Sequence, residues 1–370
     1  MFDEARSSVY KFESAINEKY DTTAPILTII ICCYYRLDLI EKSVKSVLQQ
    51  DYKNIELILI DNAAHPDIKE YLIDLFENLI NTALITFEVN QFDWNDVCKQ
   101  VAVCWNVALL HAKGDYICHL GYDDLISPNY ASRMVRLFVE NPECVTAAPM
   151  PYSINALGEV QDSKWLHDLN TRGRYTDGFD LGIDCITGSP RKLFAASGEI
   201  FVIKRDALLR YGGYDRIVDT SQVLKYAILG VSGFDPEAVL YWRHHSWQLN
   251  KQATNKGVIF YSGNAKTWKD SGIIELWRER FSSDRVKALL DFKERSLLDG
   301  VWSIVLGNVR QKNLGAVLFS FYSIIKQCPF LLPQISYRVL RELYLMVLVK
   351  TYRWVHLFDK NSHHKSGDQR

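Results

Sequence analysis

The sequence predicts a doubly wound α/β domain followed by a set of helices, and three observations predict it. Predominantly apolar runs of strand length recur at residues 26–33, 55–60, 83–89 and 115–120. Such runs suit strands buried on both faces, as in a parallel sheet. Stretches with apolar residues at helical spacing lie between them, joined by short links. From about residue 267 onward the strand-like runs give way to amphipathic helical periodicity.

The elements follow in order. Residues 1–24 are polar and read as irregular, and Pro25 then introduces ILTIIICC, the first buried strand. RLDLIEKSVKSVLQQ carries Leu37, Ile40, Val44, Val47 and Leu48 at helical spacing. IELILI (55–60) is a second strand that ends at Asp61, and a helix covers about 67–81. ALITFEV (83–89) is a third strand, and residues 97–113 form a helix that Gly114 stops. DYICHL (115–120) is the fourth strand, with GYDD directly after it. Beyond it the pattern predicts a helix near 128–140, a strand near 144–150 and a Gly/Asp-rich loop at 170–190. A strand, a short helix and a Gly-Gly turn span 196–215, and another helix lies within 216–232. A last strand at 236–243 ends in Arg243-His244-His245. The organisation expected is a polar segment (1–24), an α/β domain (25–265), a helical extension (266–360) and a disordered tail (361–370).

Composition narrows the function classes. Of 370 residues, 48% are hydrophobic and 24% charged, the balance of a packed globular chain. Lys and Arg number 43 against 44 Asp and Glu, which argues against a general nucleic-acid binder. The eight cysteines (Cys32, Cys33, Cys98, Cys104, Cys118, Cys144, Cys185 and Cys328) form no CxxC pair, so they read as small buried residues and not a zinc cluster. With no apolar signal-peptide core near the N-terminus, a reducing cytoplasmic location is expected. The 20 Tyr, 17 Phe and 9 Trp either fill the core or offer platforms for bases and sugar rings. LGAVLFSFYSIIKQCPFLLPQI is interrupted by Lys326 and two prolines, which favours a helical pair broken at Pro329 over a membrane span. The basic-aromatic stretch Tyr337–Arg353 suits either a membrane surface or packing on the domain.

In doubly wound sheets, ligands bind beyond the carboxyl ends of the strands. Tyr34-Tyr35-Arg36, Asp61-Asn62 and Asp123-Asp124 fall there, after three separate strands. Adjacent carboxylates after a buried strand suit a divalent metal on a diphosphate. They equally suit a turn leading to a helix cap, with Pro128 close behind. Asp61 is placed to accept from a base N–H or a ribose hydroxyl, or to close an Asx turn.

These residues carry a family resemblance. APILTIIICCYYRLDLIEKSVKSVLQQDYKNIELILIDNAAHPD resembles the opening of the family 2 glycosyltransferases: a strand, Tyr-Asn-Arg, a helix ending in Ser-Leu-x-x-Gln-x-Tyr, and a strand ending in Asp. Here the counterparts are Tyr34-Tyr35-Arg36, the run Ser46 to Tyr52, and Asp61. WNVALLHAKGDYICHLGYDDLISPNY is similar to the family's central segment, with Asp123 at the second Asp of its DXD motif. FAASGEIFVIKRDALLRYGGYDRIVDTSQVLKYAILG and YWRHHSW resemble later segments, so the likeness spans about residues 25–250.

The resemblance implies a GT-A fold: a Rossmann-like mixed α/β sheet flanked by helices, here with an α-helical C-terminal extension. It implies inverting transfer from a nucleoside-diphosphate sugar, with a UDP-sugar as the first expectation. The acceptor is a hydroxyl of a glycan or lipid-linked molecule. Tyr34, Arg36, Asp61 and Asp123 are expected to hold the nucleotide. Asp123, Asp124 and His245 are expected to hold Mn²⁺ or Mg²⁺, while Arg243 and His244 meet the diphosphate. Asp219 falls at the position of the general base, or caps a helix at DTSQ. Work on a lipid-linked acceptor implies a place at the inner face of the membrane. Three positions depart from the family pattern: Gly121 replaces the first DXD carboxylate, Val218 the acid before Asp219, and Tyr35 the Asn of Tyr-Asn-Arg. They motivate an alternative, a non-catalytic sugar-nucleotide or glycan-binding relative. A nucleotidyltransferase would want a Gly-rich phosphate loop, and residues 25–40 hold no glycine.

Overall fold

The computed structural model describes residues 2–15, 20–21, 23–93, 99, 101–161, 169, 171–187, 201–215, 218–246, 272–310, 313–327, 329, 332–341 and 344. The chain divides into two compact units, residues 1–255 with 267–293, and residues 256–266 with 294–370.

The first unit is built on one mixed sheet. Its strands are β1 (Lys11–Ser14), β2 (Leu27–Cys33), β3 (Ile55–Asn62), β4 (Thr82–Phe87), β5 (Tyr116–Leu120), β6 (Leu125–Ile126), β7 (Cys144–Ile154), β8 (Tyr175–Asp177), β9 (Val202–Lys204) and β10 (Val231–Arg243). The order is β1-β4-β3-β2-β5-β9-β7-β10-β6, with β8 against β10. Helices α1 (Phe2–Ser7), α2 (Leu37–Leu48), α3 (Pro66–Asn78), α4 (Ala102–His111) and α5 (Tyr130–Glu140) lie among the strands.

Every residue of β2 is buried, and each large aliphatic side chain so placed contributes about 1.5–3 kcal/mol. Alternation along the strands divides the core in two. Ile30, Ile58 and Ile60 pack with α4, whereas Leu27, Ile29, Ile31, Leu57 and Leu59 pack with residues of α2, α3 and α5. β2 runs parallel to both β3 and β5, with Cys33 opposite Asp61 and Ile31 opposite Leu120. The three carboxyl ends therefore finish level. Strand order reverses between β2 and β5, and in doubly wound sheets ligands bind beyond the carboxyl ends at such a switch point. Gly114 allows β2 to pass close by. A Cβ on it would lie 2.4 Å from Thr28 Oγ1, and its N–H donates to that oxygen at 3.0 Å.

Three expectations need correction. Residues 1–24 contain order: α1, and β1 paired antiparallel to β4. The signal lay in Phe2, Ala5, Tyr10 and Phe12. Phe12 stacks on His111 at 3.8 Å, and Tyr10 Oη is 2.9 Å from His111 Nε2. The segment 170–190 is not a loop throughout, because β8 and a helix, Gly178–Thr187, occupy much of it. Its Gly and Asp content masks Leu181 and Ile186, both buried, and Asp177 Oδ1 accepts from Phe179 N–H at 2.8 Å. β10 starts at Val231, five residues ahead of the expected strand. A register shift between Asp235 and Val239 accommodates Pro236, which has no N–H to give.

A third cluster in this unit gathers Ile186, Leu224, Ile228, Ile273, Trp277, Val286 and Leu289. Trp277 Nε1–H donates to Leu224 O at 2.9 Å. The second unit is helical where described. Residues from 294 to the end of the helix Ser283–Arg310, the helix Leu314–Gln327 and a helical stretch at 332–341 surround Leu297, Val301, Val305, Ile324 and Ile335. Pro329 falls between the last two helical stretches, as the broken-pair pattern predicted. Among the described residues no helix is long and apolar enough to cross a membrane. The tail 361–370 lies outside the described residues.

His119 on β5 packs its ring 4.3 Å from that of Trp105 and 5.1 Å from that of Tyr214. Burial lowers its pKa from 6.5 to about 3. The unfolded chain therefore takes up a proton that the native state refuses, and this contribution to stability, complete above pH 6.5, is lost as pH falls toward 3. His119→Phe should show a smaller drop in Tm between pH 7 and pH 5 than the parent, measured by thermal denaturation. Equal drops would show that His119 does not govern acid sensitivity.

Candidate functional site

Three loops leave the level strand ends. Tyr34 and Tyr35 follow β2 and are 47% and 50% exposed, so two aromatic residues stand in solvent just past this strand end. Arg36 adopts φ 70° at the start of α2, and its guanidinium forks onto Asp38 at 2.8 and 2.9 Å. That geometry ties Arg36 to the first turn of its own helix.

Asp61 ends β3 and is 2% exposed. Oδ1 accepts from Ala64 N–H at 2.8 Å. Burial pushes this carboxyl up, while the Ala64 N–H and the Lys69 charge pull it back. Its neighbour Asn62 accepts from Gln91 N–H at 2.8 Å and donates to Asn90 Oδ1 at 3.0 Å, fixing the loop after β4.

The β5–β6 loop is tighter. Asp124 N–H donates to Gly121 O at 3.1 Å, and Ser43 Oγ donates to the same carbonyl at 3.1 Å. β10 returns antiparallel to β6, with Leu240 opposite Ile126 and Tyr241 opposite Leu125. Continued by two residues, that register brings Arg243 to Asp123. Arg243 N–H donates to Asp124 Oδ1 at 2.9 Å, and its Nε–H donates to Asp123 O at 2.8 Å. Nη1 reaches the carbonyls of Asn155 and Ala156 at 3.3 and 3.2 Å. Two residues on, His245 Nε2 lies 2.8 Å from Asp123 Oδ2. His245 Nδ1 is buried and has no hydrogen-bond partner among the described residues. Burial and the Asp123 charge push the Tyr122 phenol upward.

Gly121 explains how two carboxylates fit here. A Cβ at this position would lie 2.7 Å from Asp124 Oδ2 and 3.1 Å from Asp123 Oδ1. Asp124 thus uses space that a side chain at 121 would take.

The structure brings Asp123, Asp124, Arg243 and His245 together, with Tyr34 and Asp61 at the adjacent strand ends. Arg243 and Asp124 hold the loop through the bonds above. His244 is directed to Ser153, with Nε2 3.2 Å from Oγ, and its ring lies 4.0 Å from that of Trp242. Asp219 belongs to the helix Val218–Lys225, and its side chain lies outside the described residues. Among the described residues no three His, Cys, Asp or Glu side chains gather as a ready-made metal site.

Sequence reasoning gave no bracing role to the residues that hold this loop. Ser43 and Ser46 on α2, with Gln50 just past its end, form a polar stripe. Ser46 Oγ accepts from Ile126 N–H at 3.3 Å. Gln50 donates to Ser127 O and accepts from Ala131 N–H, both at 2.8 Å. Their spacing of three and four on a helix face otherwise apolar was the available signal. Asn106, fully buried in α4, grips both main-chain groups of Tyr214 at 2.8 and 2.7 Å.

Residues 28–197 match the family described as Glycosyl transferase family 2. Residues 28–197 carry a family 2 glycosyltransferase domain. Its α/β architecture is the GT-A fold. The glycosyltransferase match takes in Tyr34, Asp61, Asp123 and Asp124 but stops before Asp219, Arg243, His244 and His245. The UDP-Glc:alpha-D-GlcNAc-diphosphoundecaprenol beta-1,3-glucosyltransferase WfaP of Escherichia coli is 35% identical over 99 residues, 27% of this chain and 36% of WfaP. An uncharacterized glycosyltransferase of Haemophilus influenzae is 28% identical over 117 residues, 32% of this chain and 44% of the relative. The chain thus spans less than half the length of these curated relatives. Among solved structures, the mannosyltransferase PcManGT from Pyrobaculum calidifontis, in complex with GDP-Man and Mn²⁺, superposes with a TM-score of 0.50. It is 14% identical, and the match covers 93% of this chain and 86% of that one.

Restoring a carboxylate at position 121 of this glycosyltransferase domain should overpack the loop. Gly121→Asp is expected to cost about 1–3 kcal/mol, read as a lower Tm. An unchanged Tm would mean that Asp124 swings aside freely.

Proposed function

We propose that this chain transfers a sugar from a nucleoside-diphosphate sugar to a hydroxyl of a glycan or lipid-linked acceptor, with inversion at the anomeric carbon. The observation that carries the reading is the convergence of Tyr34, Asp61 and Asp123 at the level ends of β2, β3 and β5, where the strand order reverses. A UDP-sugar is the first donor to test, since the WfaP name specifies UDP-Glc and a diphosphoundecaprenol-linked acceptor.

Each side chain has a role in that reading. Tyr34 offers its exposed ring to the base, and Asp61 accepts from a base N–H or a ribose hydroxyl. Asp123 and His245 fit a divalent metal such as Mn²⁺ or Mg²⁺. Asp123 Oδ2 lies 2.8 Å from His245 Nε2, which sets one oxygen donor and one nitrogen donor side by side. Two protein ligands suffice where phosphate oxygens and water complete the shell. The metal, when bound, neutralises charge on the departing nucleoside diphosphate. Asp124 and Arg243 are positioning residues here, which fix Asp123 through the backbone. Asp219 is the general base: it takes the acceptor hydroxyl proton as that oxygen bonds to the anomeric carbon and the bond to the diphosphate breaks. No enzyme nucleophile is needed, so a single displacement inverts the centre. The cytoplasmic side of a membrane, where activated sugars meet lipid-linked acceptors, is the setting this reading implies.

A thermal-shift screen of UDP-glucose and GDP-mannose, with and without Mn²⁺, tests binding. A donor at about 100 times its Kd should add about 2.7 kcal/mol of apparent stability. Asp123→Ala should remove the metal-dependent part of that shift. No shift with any sugar nucleotide would refute the donor site.

Asp219→Asn should lower kcat by roughly 10²–10⁴-fold, with donor KM little changed. Unaltered kcat would assign the proton to another group. A donor shift with neither transfer nor donor hydrolysis in the parent chain would favour the non-catalytic binder that Gly121 and Val218 motivate.

A further inference from the structure

The helix Leu314–Gln327 is apolar on two opposite sides. Ser320 and Ile324 are fully buried, with Ile324 in the second unit's core beside Val301 and Val305. On the other side, Leu318, Tyr322 and Ile325, at positions i, i+4 and i+7, are each more than half exposed, and Phe319 beside them is 44% exposed. The helical stretch at 332–341 repeats the arrangement: Ile335 is fully buried, while Tyr337 and Leu340 are exposed, as is Tyr344 just beyond. Seven large apolar side chains thus stand in solvent between Leu318 and Tyr344, whereas the other ten such residues described are spread from Val9 to Val160. A helix side facing water is ordinarily polar, and a concentrated apolar surface marks a place where something docks.

Charge indicates the occupant. Between residues 310 and 358 the sequence has Arg310, Lys312, Lys326, Arg338, Arg341, Lys350 and Arg353, against Glu342 alone. Arg338 is paired with Asp299 at 2.7 Å. The chain as a whole is at −1, so this stretch is basic in an otherwise acidic protein. Exposed aromatic and aliphatic side chains on helices with basic surroundings match a bilayer with anionic headgroups: the apolar side enters the acyl boundary, tyrosines sit at headgroup depth, and the cations meet phosphates. No described helix can span the bilayer, so the contact lies in its plane.

We infer that the exposed side of Leu314–Gln327, with Tyr337, Leu340 and Tyr344, docks this protein on an anionic lipid surface. This deepens the proposal of a lipid-linked acceptor by naming the surface that would bring the enzyme to it, yet lipid binding by itself requires no transfer activity.

Sedimentation of the full chain with vesicles tests it. The parent should pellet with phosphatidylglycerol–phosphatidylcholine vesicles, less so at high salt, and weakly with phosphatidylcholine alone. The triple variant Leu318→Ser/Tyr322→Ser/Ile325→Ser alters only exposed side chains, and its Tm checks that it folds. It should lower the partition coefficient by roughly tenfold or more. A parent that stays in the supernatant with both vesicles, or a folded triple variant that pellets like the parent, overturns the inference. So does a lipid-free oligomer in sedimentation velocity that the triple variant dissociates, since a second copy would then be the occupant. The sugar-nucleotide thermal shift, run on the same samples, separates failure of this surface from failure of the donor site.

Discussion

The candidate site depends on one knot of hydrogen bonds between segments some 120 positions apart. Arg243, at the end of β10, gives its main-chain N–H to Asp124 and its guanidinium to the Asp123, Asn155 and Ala156 carbonyls. Buried donors of this kind are costly to leave unmatched, so the return of β10 and the shape of the β5–β6 loop fix each other. His245 then lands on Asp123 because it lies two residues past the knot. The Asp123 carboxylate is thus positioned by a segment distant in sequence, not by its own strand.

The sheet supplies the rest of the geometry. Parallel pairing of β2 with β3 and β5 brings three strand ends to within a few residues of one another, and the change in winding direction falls between β2 and β5. Asp61 at one of those ends is buried and pushed toward its neutral form, so a donor N–H or hydroxyl is the partner that would relieve it. Gly121 permits the neighbouring pair of carboxylates by leaving its own side unfilled. Departure from the familiar acidic pattern is thus accommodated physically, with Asp124 occupying the room.

The second unit follows a different rule. Its helices bury one apolar side around Val305 and Ile324 and leave another in solvent. That exposure is unfavourable in water, and a lipid interface removes it without requiring a shape-matched partner.

Much of the fold could be read locally. The apolar runs of β2, β3, β4 and β5 and the periodic helices between them appear in the sequence because a strand buried on both faces and a helix buried on one each impose a period on neighbouring residues. Tyr34, Asp61 and Asp123 were legible for the same reason, as polar residues ending such runs. The chain alone did not reveal β1, whose edge pairing to β4 is a contact between distant segments. Nor did it reveal that Arg243 is buried among carbonyls, that His244 turns to Ser153, or that Ser43, Ser46 and Gln50 brace the β5–β6 loop. Those outcomes depend on which surfaces meet, and burial and partnership are set by packing between segments, whereas periodicity is set within one.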